Sequence, residues 1–375
     1  MKKFALVLVL FITGFLMVAC GDDDDQDLLD EDPTDFKIAM VTDVGDIDDK
    51  SFNQGTWEGI EAYAEENDKE YDYFRPNSVS TADYIETIEF AISQGYRIIV
   101  TPGFLFEEAI YAVQSEHPDV YFILIDGAPH GGDYDVEITP NTLSIFFNEH
   151  ESGWLTGYAA VKDGFTELGF LGGMAVPAVV RFGVGFVAGA YYAAFELGLE
   201  DFEFETQNYD YLGGFAPSDE HKTRATAMYN RGVEVIHAAA GGAGNSVMLA
   251  AEEIANKWVI GVDIDQVDES SRVITSALKG LGVAVQTALH EIYQREFEGG
   301  RSITLGAADD AVGIPTEATS FDRFTSFERE DYDMIFGMLS AGVLAAPRSP
   351  AELVRYIEAL GYQVPTGLEA KAQGS

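Results

Sequence analysis

Residues 97–127 read RIIVTPGFLFEEAIYAVQSEHPDVYFILIDG. Two short apolar runs, Arg97 to Thr101 and Val120 to Ile125, flank a segment from Glu107 to Glu116. The apolar spacing of that segment predicts a helix, and Pro118 stops it. Each run closes on a turn signal, Pro102-Gly103 and Asp126-Gly127. A strand that reads as a continuous apolar run is covered on both faces, which is the mark of a parallel sheet flanked by helices.

The same unit recurs on either side. Strands are expected over Phe36 to Thr42, Tyr71 to Arg75, Leu143 to Phe147, Leu168 to Leu171, Phe202 to Gln207, Val233 to Ala239, Trp258 to Val262 and Arg272 to Thr275. Helices fit over Phe52 to Asn67, after the Ser80/Asp83 capping box, over Gly153 to Lys162, and at about 180–197, 219–231, 245–256 and 281–297. So many strands exceed one compact sheet of this kind. The reading is α/β, with two lobes that are each a parallel sheet covered by helices.

The chain has 375 residues, 64 acidic and 22 basic, for a formal charge of −42. Such a surplus of acid excludes polymeric nucleic acid as a partner and an electrostatic grip on an anionic membrane. One cysteine excludes a disulfide framework and a Cys-based zinc cluster. A 47% apolar content excludes a disordered acidic polymer.

Lys2 and Lys3 precede an apolar stretch from Phe4 to Ala19, short for a membrane span and suited to a signal peptide. Met17-Val18-Ala19-Cys20 resembles a bacterial lipoprotein lipobox, which implies cleavage after residue 19 and lipidation of Cys20. Residues 20–35 then form an acidic tether, since like charges repel and extend the chain. Cleavage would take the formal charge from −42 to −44, of which the tether holds −9, leaving −35 on residues 37–375. A salt-adapted, strongly acidic surface is the expectation for that remainder.

In open parallel sheets, ligands bind beyond the carboxyl ends of strands. Asp43, Asp126, Gly241-Gly242, Asp263, Asp265 and Lys279 each follow an expected strand. Their recurrence points to one shared cleft. Acids there accept hydrogen bonds from hydroxyls and amino groups, and a lysine donates to hydroxyl oxygens. Phe52 and Phe182 stand near helix starts, where a phenyl ring at a cleft edge can stack on a flat heterocycle.

These positions carry a resemblance. Val41-Thr42-Asp43-Val44-Gly45-Asp46-Ile47-Asp48-Asp49-Lys50-Ser51-Phe52-Asn53-Gln54 resembles the signature of the basic membrane protein family, the purine nucleoside receptor A group of lipoproteins. Ala239-Ala240-Gly241-Gly242-Ala243-Gly244-Asn245, Gly261-Val262-Asp263-Ile264-Asp265-Gln266 and Ser276-Ala277-Leu278-Lys279 resemble its later motifs. The resemblance implies a two-lobed type I periplasmic-binding-protein fold. Lobe 1 would hold residues 36–141 plus about 276–315, and lobe 2 residues 142–275 plus about 316–375, with hinges near Thr142 and Thr275. It implies a nucleoside (adenosine, guanosine or inosine) with its base between Phe52 and Phe182, Phe186 being the alternative stacker. Asp43, Asp126 and Asn53 would help hold the ligand, and Asp263, Lys279 and the backbone at Gly242 would contact ribose. Which of Asp263 and Asp265 reaches the ligand stays open. The implied partners are an ABC permease and, through the lipid, a membrane.

Rival chemistries find less support. No Gly-x-Ser-x-Gly elbow or His-Glu-x-x-His helix occurs, so no catalytic residue is assigned and an enzyme is not expected. The six histidines lack metal-ligand spacing and are expected on the surface or in loops. Gly183-x-Gly185-x-x-Ala188 matches a dinucleotide fingerprint only in letters. Asp46, Asp48 and Asp49 could suggest calcium, but Trp57 occupies the twelfth loop position where an EF-hand needs glutamate. Neither a metal nor a cofactor is expected. A ligand sensor, or a binder of riboflavin or another flat ring with a polyol tail, is the alternative to nucleoside import.

Overall fold

The computed structural model describes residues 32–43 and 45–375. The expected signal peptide, Cys20 and most of the tether lie outside the described residues. Pro33–Asp35 forms a single 3-10 turn leading into the first strand.

The first lobe begins β1 (Lys37–Val41), α1 (Phe52–Glu66), β2 (Tyr71–Phe74), α2 (Thr81–Ser93), β3 (Tyr96–Pro102), α3 (Glu107–Gln114), β4 (Tyr121–Ile125) and β5 (Thr142–Phe147). The chain then crosses into α4 (Glu149–Lys162), β6 (Leu168–Gly172), α5 (Pro177–Leu197), β7 (Tyr209–Tyr211), α6 (Asp219–Asn230), β8 (Val235–His237), α7 (Gly244–Glu252), β9 (Trp258–Asp263) and β10 (Val273–Lys279). It returns to the first lobe for α8 (Leu281–Tyr293) and β11 (Arg301–Leu305). It crosses once more to β12 (Val312–Gly313), α9 (Arg329–Ser340), α10 (Pro350–Ala359) and α11 (Leu368–Gln373).

Among the described residues both sheets have six strands. The first runs β2-β1-β3-β4-β5-β11 with every pairing parallel. The second runs β7-β6-β8-β9-β10-β12, and only the short β12 is antiparallel. In each sheet the order of strand addition therefore reverses between the first and third strands of that lobe, and that switch point is where doubly wound sheets open a crevice for ligand.

Sheet membership moves the crossings from where they are expected. Thr142 is not a hinge, because Thr142–Phe147 pairs with β4 as a fifth strand of the first sheet. Nor is Thr275, because β10 pairs with β9 through Lys279. The crossings fall at Asn148, Gly280 and residues 306–311. They are tied to one another: Asn148 N–H donates to Leu305 O at 2.8 Å, and Gly280 N–H to Ala311 O at 2.8 Å.

Local chemistry explains the elements that hold the cleft. The Asp49 carboxylate accepts from the backbone N–H of Ser51, Asn53 and Gln54, capping the start of α1. Pro177 opens α5 with a preset φ, and Gly198 closes it at φ 68. α4 and α5 pack backbone to backbone. A Cβ placed on Gly157 would meet Phe186 O at 1.9 Å, and one on Gly189 would meet Trp154 O at 1.9 Å. The Gly183/Gly185 stretch is thus helix packing within α5 and not a phosphate loop. By length and composition α5 could cross a membrane, but it is mostly buried as the core helix of lobe 2.

Two further expectations are corrected. Phe202 to Gln207 is not a strand: Phe202 and Phe204 are buried, but Phe204 N–H donates to Tyr191 Oη instead of a ladder, and pairing begins only at Tyr209. His150 and His237 are buried within α4 and β8, neither on the surface nor in loops. Residues 329–373 form three helices, with α10 and α11 packed against α5 and α9 against α4.

Candidate functional site

A cavity of about 990 Å³ lies between the lobes, at the carboxyl ends of both sheets. Asp43, Phe52, Asn53, Asp126, Phe182, Gly242, Asp263 and Lys279 all line it. Its size is at the upper end of the usual range for small-molecule sites.

Lobe 1 supplies Asp43 after β1, Asp126 after β4, and Phe52 and Asn53 from the first turn of α1. Asn53 Nδ2 donates to Asp43 Oδ1 at 2.9 Å and to Asp49 Oδ2 at 3.0 Å. Gly103, at φ 111, lets the β3 turn pass beside Asp43, whose Oδ2 would lie 3.2 Å from a Cβ placed there. Asp126 takes the left-handed conformation at φ 56, which its short polar side chain tolerates.

Lobe 2 supplies Phe182 from α5, Gly242 from the turn before α7, Asp263 at the end of β9 and Lys279 at the end of β10. Asp263 also has a positive φ, 67. Two strained aspartates at strand ends on opposite walls of one cleft are local outliers of the kind that gather at binding sites.

Lys279 is the hub. Its side chain is 2% exposed, and its ammonium bonds Asp126, with Glu149 Oε1 at 3.3 Å. It lies 5.0 Å from the centroid of the Phe52 ring, 5.4 Å from Phe147 and 5.7 Å from Phe182. Arg181 Nε donates to Glu149 Oε2 at 2.5 Å. Ser51 Oγ donates to Asp263 Oδ2 at 2.5 Å, joining the lobes, and Gln266 Nε2 reaches across to Lys50 O.

Two buried carboxyls, Glu149 and Asp263, and the half-buried Asp126 thus face the buried Lys279 and the half-buried Arg181. Unpaired, each charge would cost several kcal/mol to bury. Burial alone would push the Lys279 ammonium down, but Asp126, Glu149 and Asp263 outweigh it and hold the pKa above that of an ordinary lysine. Burial likewise raises Glu149, yet Lys279 and Arg181 bring it below the usual carboxylate value. The surplus negative charge shows elsewhere: burial pushes Asp126 up, and Asp263 up to about 6, against the pull of Lys279.

The two pairs of alternatives differ in their position relative to the cavity. Phe182 is on the cavity wall, whereas Phe186 is wholly buried against His237 and Phe204. Asp263 faces the cavity, whereas Asp265 is exposed and accepts from Val267 N–H. Glu149, Arg181, Phe104 and Phe215 belong to the site or its support and escaped the sequence reading. Arg181 directly precedes Phe182 and was the most accessible signal. Glu149 lay hidden because α4 starts four residues before the expected Gly153.

Comparison with known proteins fixes the family. A family model described as Bmp, ABC transporter substrate-binding protein PnrA-like, matches residues 36–341. The chain belongs to the Bmp family. The family is one of extracytoplasmic ABC-transporter substrate-binding proteins. This Bmp protein is 30% identical to the ABC transporter nucleoside-binding protein BmpA of Lactococcus lactis over 91% of the chain and 99% of that relative. It is 31% identical to basic membrane protein B of Borreliella burgdorferi over 86% of the chain and 92% of the relative. Its fold resembles an ABC transporter solute-binding protein of Aeropyrum pernix, with TM-score 0.72, 24% identity, and 90% and 99% of the two chains covered.

Proposed function

We propose that this protein captures a purine nucleoside, such as adenosine, guanosine or inosine, in the interlobe cavity and hands it to an ABC permease, while lipid on Cys20 holds it at the membrane. The carrying observation is a phenyl ring from each lobe, Phe52 and Phe182, converging on the Lys279 ammonium in a cleft that also presents the carboxylates of Asp43, Asp126 and Asp263. Rings suit a flat base, carboxylates accept from ribose hydroxyls and base N–H groups, and Lys279 donates to a ribose oxygen. The name of the Lactococcus relative supports the same ligand class.

The acidic wall also sets a limit. Asp43, Asp46, Asp49, Asp126 and Asp263 face the cavity with Arg181 and Lys279 as the lining cations, so a nucleotide phosphate would be repelled where a nucleoside is not. Uptake needs no covalent chemistry. The lobes rotate about the three crossings, and ligand favours the closed form by the contacts it makes only there.

Calorimetric titration with adenosine, guanosine, inosine, cytidine, AMP and riboflavin tests the assignment. Micromolar or tighter binding of a purine nucleoside, with AMP rejected, is the expected result. Silence toward all purine nucleosides refutes it, and a response to riboflavin alone replaces it with the larger ligand for which the cavity has room.

A further inference from the structure

Arg181 is a cation on the cavity wall whose hydrogen-bonding capacity is largely unspent. A guanidinium carries five N–H donors. Only Nε is engaged, by Glu149 Oε2 at 2.5 Å. Among the described residues, Nη1 and Nη2 donate to no protein acceptor, although the side chain is only 18% exposed and borders the cavity. Asp126 shows the complementary pattern. Its Oδ2 receives Lys279, while its buried Oδ1 has no hydrogen-bond partner among the described residues.

These two groups carry opposite charge, border one cavity and each ion-pair with something else. The guanidinium can only donate and the carboxylate can only accept. A ligand group that fits between them must accept from one and donate to the other. An ammonium cannot accept, an ether or carbonyl oxygen cannot donate, and a phosphate would meet Asp126 as a like charge. A hydroxyl does both with one atom.

We infer that Arg181 is a ligand-contacting, specificity-determining residue that shares one sugar hydroxyl with Asp126, and that Glu149 is the positioning residue that aims it. The inference rests on the nucleoside reading and adds a residue and a functional-group requirement to it. Glu149 itself does not border the cavity. It is fully buried at the crossing into α4, where its two oxygens face Lys279 and Arg181. One carboxylate from the hinge therefore orients both cations that meet the sugar, so the sugar-binding geometry is set where the lobes rotate.

The test is a titration matrix. Wild type and Arg181→Met are titrated with inosine and adenosine, with the 2′-, 3′- and 5′-deoxy analogue of each, and with hypoxanthine and adenine. Arg181→Met is expected to weaken the parent nucleosides about tenfold to a hundredfold, the loss for one hydrogen bond to a charged group. Against one deoxy analogue the variant and wild type should bind alike, because the contact is already gone. Equal losses across all analogues and the free bases would overturn the inference and make Arg181 structural. A loss that persists with hypoxanthine but not adenine would also overturn it, in favour of base-edge recognition. If wild type binds no purine nucleoside, the nucleoside reading fails first and this falls with it. Arg181→Lys, which keeps the charge and loses the fork, is the second variant should Arg181→Met not fold; it should show the same single-analogue pattern at smaller amplitude. Glu149→Gln should reproduce the hydroxyl-dependent loss while sparing free-base affinity, whereas a merely structural role would lower both together.

Discussion

Replacing Asp263 by Asn should make the ligand-free protein more stable at neutral pH while weakening ligand binding. Asp263 is 7% exposed, and burial pushes its pKa up to about 6. An unfolded Asp titrates near 3.9. Between those values the folded protein binds more protons than the unfolded chain, so stability falls as pH rises through that window. The stability contributed by the protonated carboxyl is fully present below about pH 4 and lost above about pH 6. A displacement of about two pKa units corresponds to roughly 3 kcal/mol at neutral pH. Asn keeps the shape, can still accept from Ser51 Oγ, and removes the surplus negative charge of the cluster. Lys279 retains Asp126 and Glu149 as partners. Urea unfolding of both proteins, at fixed salt from about pH 4 to about pH 7.5, measures the difference. Asp263→Asn should gain on wild type by roughly 2–3 kcal/mol across that range. A difference independent of pH, or a variant less stable than wild type at neutral pH, would refute the claim that this carboxylate is held against its own electrostatics for the sake of the ligand.

Phe52→Ala should weaken nucleoside binding by about 1–3 kcal/mol with little change in melting. Phe186→Ala, which opens a hole in the core, should instead cost about 3–5 kcal/mol of stability, so the two variants separate stacking from packing in paired calorimetric and thermal measurements. Lys279→Ala should weaken ribonucleosides far more than free bases. It should also cost about 3–5 kcal/mol in stability, because Asp126 and Glu149 lose their shared cation; equal binding losses would exclude a ribose role. The remaining charge of −35 on residues 37–375 predicts that thermal stability rises steeply from dilute buffer to several molar KCl. A melting temperature insensitive to salt would separate the acidic composition from salt adaptation.

What could be read in the sequence was local. Each parallel strand announces itself as a short apolar run, and each of Asp43, Asp126, Asp263 and Lys279 stands just past or at the end of one. What could not be read depends on contacts distant along the chain. Glu149 meets Arg181 and Lys279, 32 and 130 positions away, and nothing in its own neighbourhood marks it as buried. The apolar alternation at Phe202 and Phe204 is that of a strand, but the Tyr191 hydroxyl takes the Phe204 N–H and the segment stays unpaired. The hinges were misplaced for a related reason. Thr142 and Thr275 precede or interrupt apolar runs, and only sheet pairing shows that the crossings begin where those runs end.

The most direct measurement of the central claim is a crystal structure of the complex with inosine. The purine ring should lie between Phe52 and Phe182, with the ribose hydroxyls on Asp263, Lys279 and the Asp126–Arg181 gap. A base seated outside the two rings, or an unliganded cleft at saturating inosine, would contradict it.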